Sequence, residues 1–317
     1  MTGPTFTQRP RYTLGDWDNK AAVRVRKNDY RLPDDLEQQL ATRNWFAPAF
    51  IPYIEHPLID KAGRAIAQRL AANHLVYFLD YTTLLEHRVV NRAVETIVHG
   101  ELAAPIPGQM KTAALQLYTD EGYHALFSNE VAEQIVALYD IRDRSLPRRI
   151  DRLLGVIDAT SLADRPLAWF LLGFVSETII AKELLSITRE TLVSTVYQML
   201  RNHLEDEARH SRYFSEVFQY LWSALAPEQR ALAARLLLDI IGLYFEPDIP
   251  WLMRSLASVG FDEQDALKIV ANLLQPDAHA RRVRSGAAST FTAMQQAGFF
   301  DDGANRQMFF QAGFIDD

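Results

Sequence analysis

Residues 203–210 read HLEDEARH and residues 120–124 read DEGYH. Both contain Asp-Glu-x-x-His, as Asp120-Glu121-Gly122-Tyr123-His124 and Asp206-Glu207-Ala208-Arg209-His210. Side chains three or four apart on an α-helix lie on one face, so each Glu–His pair points the same way. His203 stands one turn before Glu207 and two before His210, so all three share a narrow stripe. A helix built only for packing would scatter its charges over the wet side. These stretches concentrate carboxylates and imidazoles instead, as a helix does when it holds a metal ion. One Glu-x-x-His is a weak signal. Two, each preceded by Asp and each in a long helical pattern, point to a bundle in which two further helices give one Glu each.

Those two carboxylates are sought inside apolar helices. The run PLAWFLLGFVSETIIAKELL (166–185) encloses Glu177. A carboxylate buried there needs a cation or a proton, because an unpaired buried charge costs several kcal/mol. Glu183, six residues on, lies roughly opposite and is read as solvated. The run HLVYFLDYTTLLEHRVVNRAVETIV (74–98) offers Asp80, Glu86 and Glu95. Glu86 follows two leucines and precedes Glu121 by a span that accommodates a helix end, a Pro-rich loop and a return helix. Glu95 is read as a solvated acid paired with Arg92.

The expected ligand set is Glu86, Glu121, His124, Glu177, His203, Glu207 and His210. Its four carboxylates neutralise two divalent ions, which suits a low-dielectric bundle interior. Oxygen and nitrogen donors without sulfur suit iron or manganese and argue against structural zinc. Such a cluster is suited to binding and reducing dioxygen. Asp120 and Asp206 point away from their neighbouring ligands, and each is expected to accept the free N–H of a histidine on a partner helix.

The rest of the sequence frames this site. The 317 residues carry a net charge of −7, against a broad nucleic-acid-binding surface, and no cysteine, which excludes disulfides and protein-bound iron–sulfur clusters. The first twenty residues lack the apolar stretch of a signal peptide, and the longest apolar run, LAWFLLGFVS, is too short to cross a bilayer. A cytoplasmic protein is expected. Residues 1–33 read as an irregular N-terminal arm, and 34–317 as a single helical domain with its metal-bearing core at about 60–225. Helical periodicity recurs over 34–45, 60–99, 110–139, 163–187, 189–225, 227–245 and 262–283, so the fold class is all-α. Phe clusters in the last thirty residues are expected to pack back on the body.

The pattern of a Glu, a DExxH, a lone Glu and an HxxxExxH resembles the AurF-like di-iron N-oxygenases, related to p-aminobenzoate N-oxygenase. It is carried by Glu86, DEGYH (120–124), Glu177 and HLEDEARH (203–210). The additional histidine, His203, distinguishes that family from two-histidine oxygenases and reductases. The resemblance implies a ferritin-like four-helix bundle with flanking helices, usually a homodimer, holding two iron ions per chain (or manganese). It implies a monooxygenase that takes O2 as co-substrate and oxidises an amine nitrogen of a small molecule to a hydroxylamine, nitroso or nitro product in natural-product biosynthesis. An external reductase or electron carrier would be needed, since the sequence has no GxGxxG fingerprint after a strand. No residue for binding substrate carries over. Arg88, Asn91 and Arg92 could meet a substrate carboxylate, and Tyr81, Phe174 and Phe214 could line a cavity, although surface exposure and packing account for them as well.

Four other readings compete. A di-iron carbon hydroxylase or desaturase shares the bundle, and His203 weighs against it. A ferroxidase or storage bundle needs no substrate cavity or additional helices. A radical-generating reductase subunit would want a tyrosine where this chain has Ser128, since Tyr123 points elsewhere. A helical scaffold would not explain acids and imidazoles in register.

Overall fold

The computed structural model describes residues 11–25, 29–142, 144–275 and 277–316. Within them the chain is all-α, and its sole extended contact is a parallel bridge between Asn44 and Leu192. Residues 1–10 and 26–28 of the expected irregular arm lie outside the described residues. The part that follows contains two one-turn helices, α1 (Trp17–Lys20) and α2 (Ala22–Val25). They are too short for sequence periodicity to reveal. Burial of Leu14, Ala21 and Ala22 against the body holds them in place.

Next come α3 (Leu36–Leu40) and α4 (Pro57–Ala62). The periodicity over 34–45 overstates α3, because the backbone of Asn44 pairs with Thr191 and Val193 and cannot also continue a helix. Gly63, at φ +92°, separates α4 from α5 (Arg64–Leu84). Helix α5 passes through a π-helical turn at Leu85–Val90 into α6 (Asn91–Val98). Then follow α7 (Gly108–Tyr139), α8 (Arg148–Ala159), α9 (Arg165–Ile187) and α10 (Ser194–Ala224). The chain closes with α11 (Pro227–Tyr244), α12 (Ile249–Ser258), α13 (Glu263–Leu273), α14 (Ala278–Gly286), α15 (Ala288–Gln296) and α16 (Gly303–Gln311).

The continuous α5–α6 rod, α7, α9 and α10 form a ferritin-like four-helix bundle, and the remaining helices flank it. Helix α5 packs on α7 and α9 on α10, while α6 touches both α7 and α9. Gly173 permits the α6–α9 approach, since a Cβ there would stand 2.4 Å from the Ala93 Cβ. At the C-terminus, Phe299, Phe300, Phe309 and Phe314 are buried with their rings edge to face. Each such ring contributes about 1.5–3 kcal/mol by leaving water.

The hydrophobic core comes in two parts. One holds Leu85, Leu117, Phe174, Val175 and Tyr213; the other holds Leu75, Leu79, Phe127, Ile180, Leu200 and Leu204. Along α7 and α10 the boundary between them falls at the stretch that carries the acids and imidazoles, between Leu117 and Phe127 and between Leu204 and Tyr213. On the α5–α6 rod and α9 it falls between Leu79 and Tyr81 and between Ile179 and Ile180, within two turns of Glu86 and Glu177. A polar layer therefore crosses the bundle at mid-height, sealed by apolar packing above and below.

Candidate metal centre

Four helices meet in that layer. The π turn supplies Glu86, α7 supplies Glu121 and His124, α9 supplies Glu177, and α10 supplies His203, Glu207 and His210. All seven expected residues come together there, and each is fully buried. The π turn brings Leu85, Glu86, Val89 and Val90 inward together. A π turn of this kind inserts one residue into an α-helix and often marks a functional site.

Two carboxylates stand at the centre. Glu121 Oε2 is 3.2 Å from His124 Nδ1, and its Oε1 is 2.7 Å from His210 Nδ1. Glu207 Oε1 lies 3.1 Å from His124 Nδ1, 3.1 Å from His203 Nε2 and 3.3 Å from His210 Nδ1. Glu86 is at the His203 end, 3.6 Å from Nε2, and Glu177 is at the His210 end, 3.6 Å from Nδ1. Donor atoms of Glu121, His124, Glu207 and His210 lie within 4.8 Å of one another. The same holds for Glu86, His203 and Glu207, and for Glu86, Glu121 and Glu177.

The two aspartates cross between motifs. His124 Nε2 is 3.0 Å from Asp206 Oδ2, and His210 Nε2 is 3.0 Å from Asp120 Oδ2. An ionised carboxylate only accepts, so Nε2 is the donor in both contacts. In the neutral imidazole, the Nδ1 lone pair is then aimed into the layer, as ligation requires. His203 is turned the other way, with Nε2 inward and neither ring nitrogen hydrogen-bonded.

Without a cation the layer is short of partners. Both carboxylate oxygens of Glu86, Glu177 and Glu207 are buried with no hydrogen bond, as are Glu121 Oε1 and His210 Nδ1. The electrostatics follow from this crowding. Burial and then the neighbouring carboxylates raise Glu86 and Glu177 well above the usual carboxylate range. Burial opposes charge on His124 and His210, yet the acids around them, Glu121 foremost, raise both imidazoles well above theirs. Burial also pushes Glu121 and Glu207 up, but the imidazoles outweigh it and leave both low. His203 is lowered by burial and then by His124. The raised carboxyls and imidazoles favour protons in the places that cations would take, and metal binding would displace such protons. The buried oxygen and nitrogen donors fit a pair of divalent ions.

The other candidates fall outside the layer. Glu95 pairs with Arg92 at 3.6 Å on the bundle surface. Asp80 pairs with Arg144. Glu183 is only half-buried, and burial raises its carboxyl. Arg88 is exposed, while Asn91 is buried with its Oδ1 unpartnered. Phe174 stacks on Phe218 at 4.3 Å and Phe214 packs on Phe170, so both serve the core. Tyr81 has a buried hydroxyl without a hydrogen bond, and the Arg149 guanidinium lies 5.0 Å from its ring centroid. Tyr123 sets its ring edge-on to Phe127.

Two contacts at the site cannot be read from the sequence. Trp17 Nε1 donates to Asp120 at 3.0 and 2.9 Å, and the Ala22 amide donates to Asp206 at 3.2 Å. They join segments 103 and 184 residues apart, and nothing in the local pattern of the arm announces them.

A comparison with known families agrees with this geometry. The sequence model of p-aminobenzoate N-oxygenase AurF matches residues 14–298, a range that takes in the four bundle helices, α1, α2 and every residue of the polar layer. The chain belongs to the AurF p-aminobenzoate N-oxygenase family, a family of oxygenases.

Proposed function

We propose that the protein is a di-iron N-oxygenase that uses O2 to oxidise the amine nitrogen of a small molecule. The observation that carries this reading is the set of seven buried side chains with unpaired donor atoms, in a chain of the AurF family. Glu86, His124 and His203 would hold one ion, and Glu177 and His210 the other. Glu121 and Glu207, each within reach of histidines on both sides, would be shared. Held by these residues, a pair of reduced iron ions would supply the electrons for dioxygen activation and for transfer of an oxygen atom to nitrogen.

The protein's own part is positional. Asp206 and Asp120 fix the tautomer and orientation of His124 and His210. Apolar packing on both sides of the layer keeps bulk water from the charged groups and strengthens each interaction among them. The ion between Glu177 and His210 would have fewer protein donors than the one beside Glu86, which favours that side for an incoming amine. Electrons would come from an external carrier, and natural-product biosynthesis is the setting such chemistry suggests.

The test is a single-turnover screen. Protein loaded with ferrous iron is exposed to O2 with arylamines and amino-acid-derived amines, and products are read by mass and fragmentation. The reading predicts oxygen on nitrogen. Oxygen found only on carbon would move the protein to the carbon hydroxylases.

A further inference from the structure

The N-terminal arm reaches the metal centre by two separate routes. The indole N–H of Trp17 contacts both carboxylate oxygens of Asp120, and the backbone N–H of Ala22 contacts Asp206. Asp120 in turn receives His210 Nε2, and Asp206 receives His124 Nε2. Each histidine of a Glu-x-x-His pair is thus held by the Asp that opens the other pair, and each Asp is held by the arm. The arm is itself fastened to α10. Its Thr13 carbonyl accepts from Arg212 at 2.6 Å, and the Tyr12 amide donates to Glu216 at 2.5 Å. Leu14, Ala21 and Ala22 are buried, and the Arg24 guanidinium caps the Trp17 ring at 5.5 Å.

The two routes are unequal. Asp206 has a further donor in Arg209, its neighbour on α10. Among the described residues, Asp120 has no side-chain donor other than Trp17 and His210. Loss of the indole N–H would therefore leave Asp120 free to turn. His210 would then lose the acceptor that points its Nδ1 inward, while Asp206 and His124 would keep theirs.

We propose that Trp17 is a positioning residue of the metal centre: through Asp120 it sets His210, and with it the ion on the Glu177 side. This inference rests on the two-metal reading above. It makes the arm a working part of the site, where a simple cover would need only the ring's bulk.

The experiment compares wild type with Trp17→Phe, which keeps a large aromatic ring and removes the N–H. Both are loaded with Mn(II), and release to an excess of chelator is followed by the EPR signal of the freed ion. Partners of metal-binding histidines typically govern affinity by 10–100-fold, so one ion of the pair is expected to leave roughly tenfold faster in the variant. The second ion should leave at the wild-type rate, and the thermal transition of the metal-free protein should be little changed. Unchanged release of both ions would overturn the proposal. So would equal acceleration of both, which would mark general loosening. If the variant does not fold, wild type carrying ¹⁵N-indole tryptophan decides. One indole resonance should show slowed N–H exchange and be broadened by Mn(II) ahead of the others, and absence of such a resonance overturns the proposal. Wild type that binds no Mn(II) at all would instead defeat the two-metal reading itself.

Discussion

Glu86, Glu177 and Glu207 each keep both carboxylate oxygens buried and without hydrogen bonds. Groups in that state persist only beside protons or cations, and three imidazoles cannot partner every oxygen. His203 makes the most informative substitution, because its two ring nitrogens have no hydrogen bond and its Nε2 lies between Glu86 and Glu207. His203→Ala is expected to lower affinity for one of two Mn(II) ions by at least about tenfold, the other binding as in wild type, in an EPR-monitored titration. Two ions bound with wild-type affinity would reduce His203 to packing. All seven residues of the polar layer were legible in the sequence as candidates, because acids and imidazoles gathered on one stripe, or set inside an apolar run, call for a cation. The direction each ring faces was not legible, since it depends on which Asp of another helix accepts from it.

Long helices with apolar faces could be read from periodicity, and α7, α9 and α10 lie close to their expected ranges. The π turn could not, because its sequence continues an ordinary helical pattern and only packing against the layer selects the additional residue. Helix α8 was missed for a related reason. It shows only Ile150, Leu153 and Ile157 to the core, too few turns to separate from a loop. The arm lies beyond periodicity altogether, being held by contacts to residues more than a hundred positions away. Packing between elements gives its own test at Gly173, where α9 meets Ala93 of α6. Gly173→Ala would improve helix propensity, yet its methyl would press on the Ala93 Cβ at 2.4 Å. Overpacking should win, with a loss of about 1–3 kcal/mol in denaturant unfolding. A variant as stable as wild type would show that the two helices are free to separate.

In the molecule as a whole, the polar layer is the joint between two hydrophobic cores, and every bundle helix passes through it. Stability and metal binding would be coupled at such a joint, since an ion held by four helices would bind the folded chain and not the unfolded one. Among the described residues no helix is long and apolar enough to cross a membrane. In the proposed site Glu86, Glu121, His124, Glu177, His203, Glu207 and His210 converge on a pair of ions. Anomalous diffraction from crystals grown with ferrous iron or Mn(II) tests it most directly. Two anomalous peaks inside the bundle, enclosed by these seven side chains, are the expected result. A bundle without anomalous density between the helices, with its acids and imidazoles satisfied by one another or by water, would contradict it.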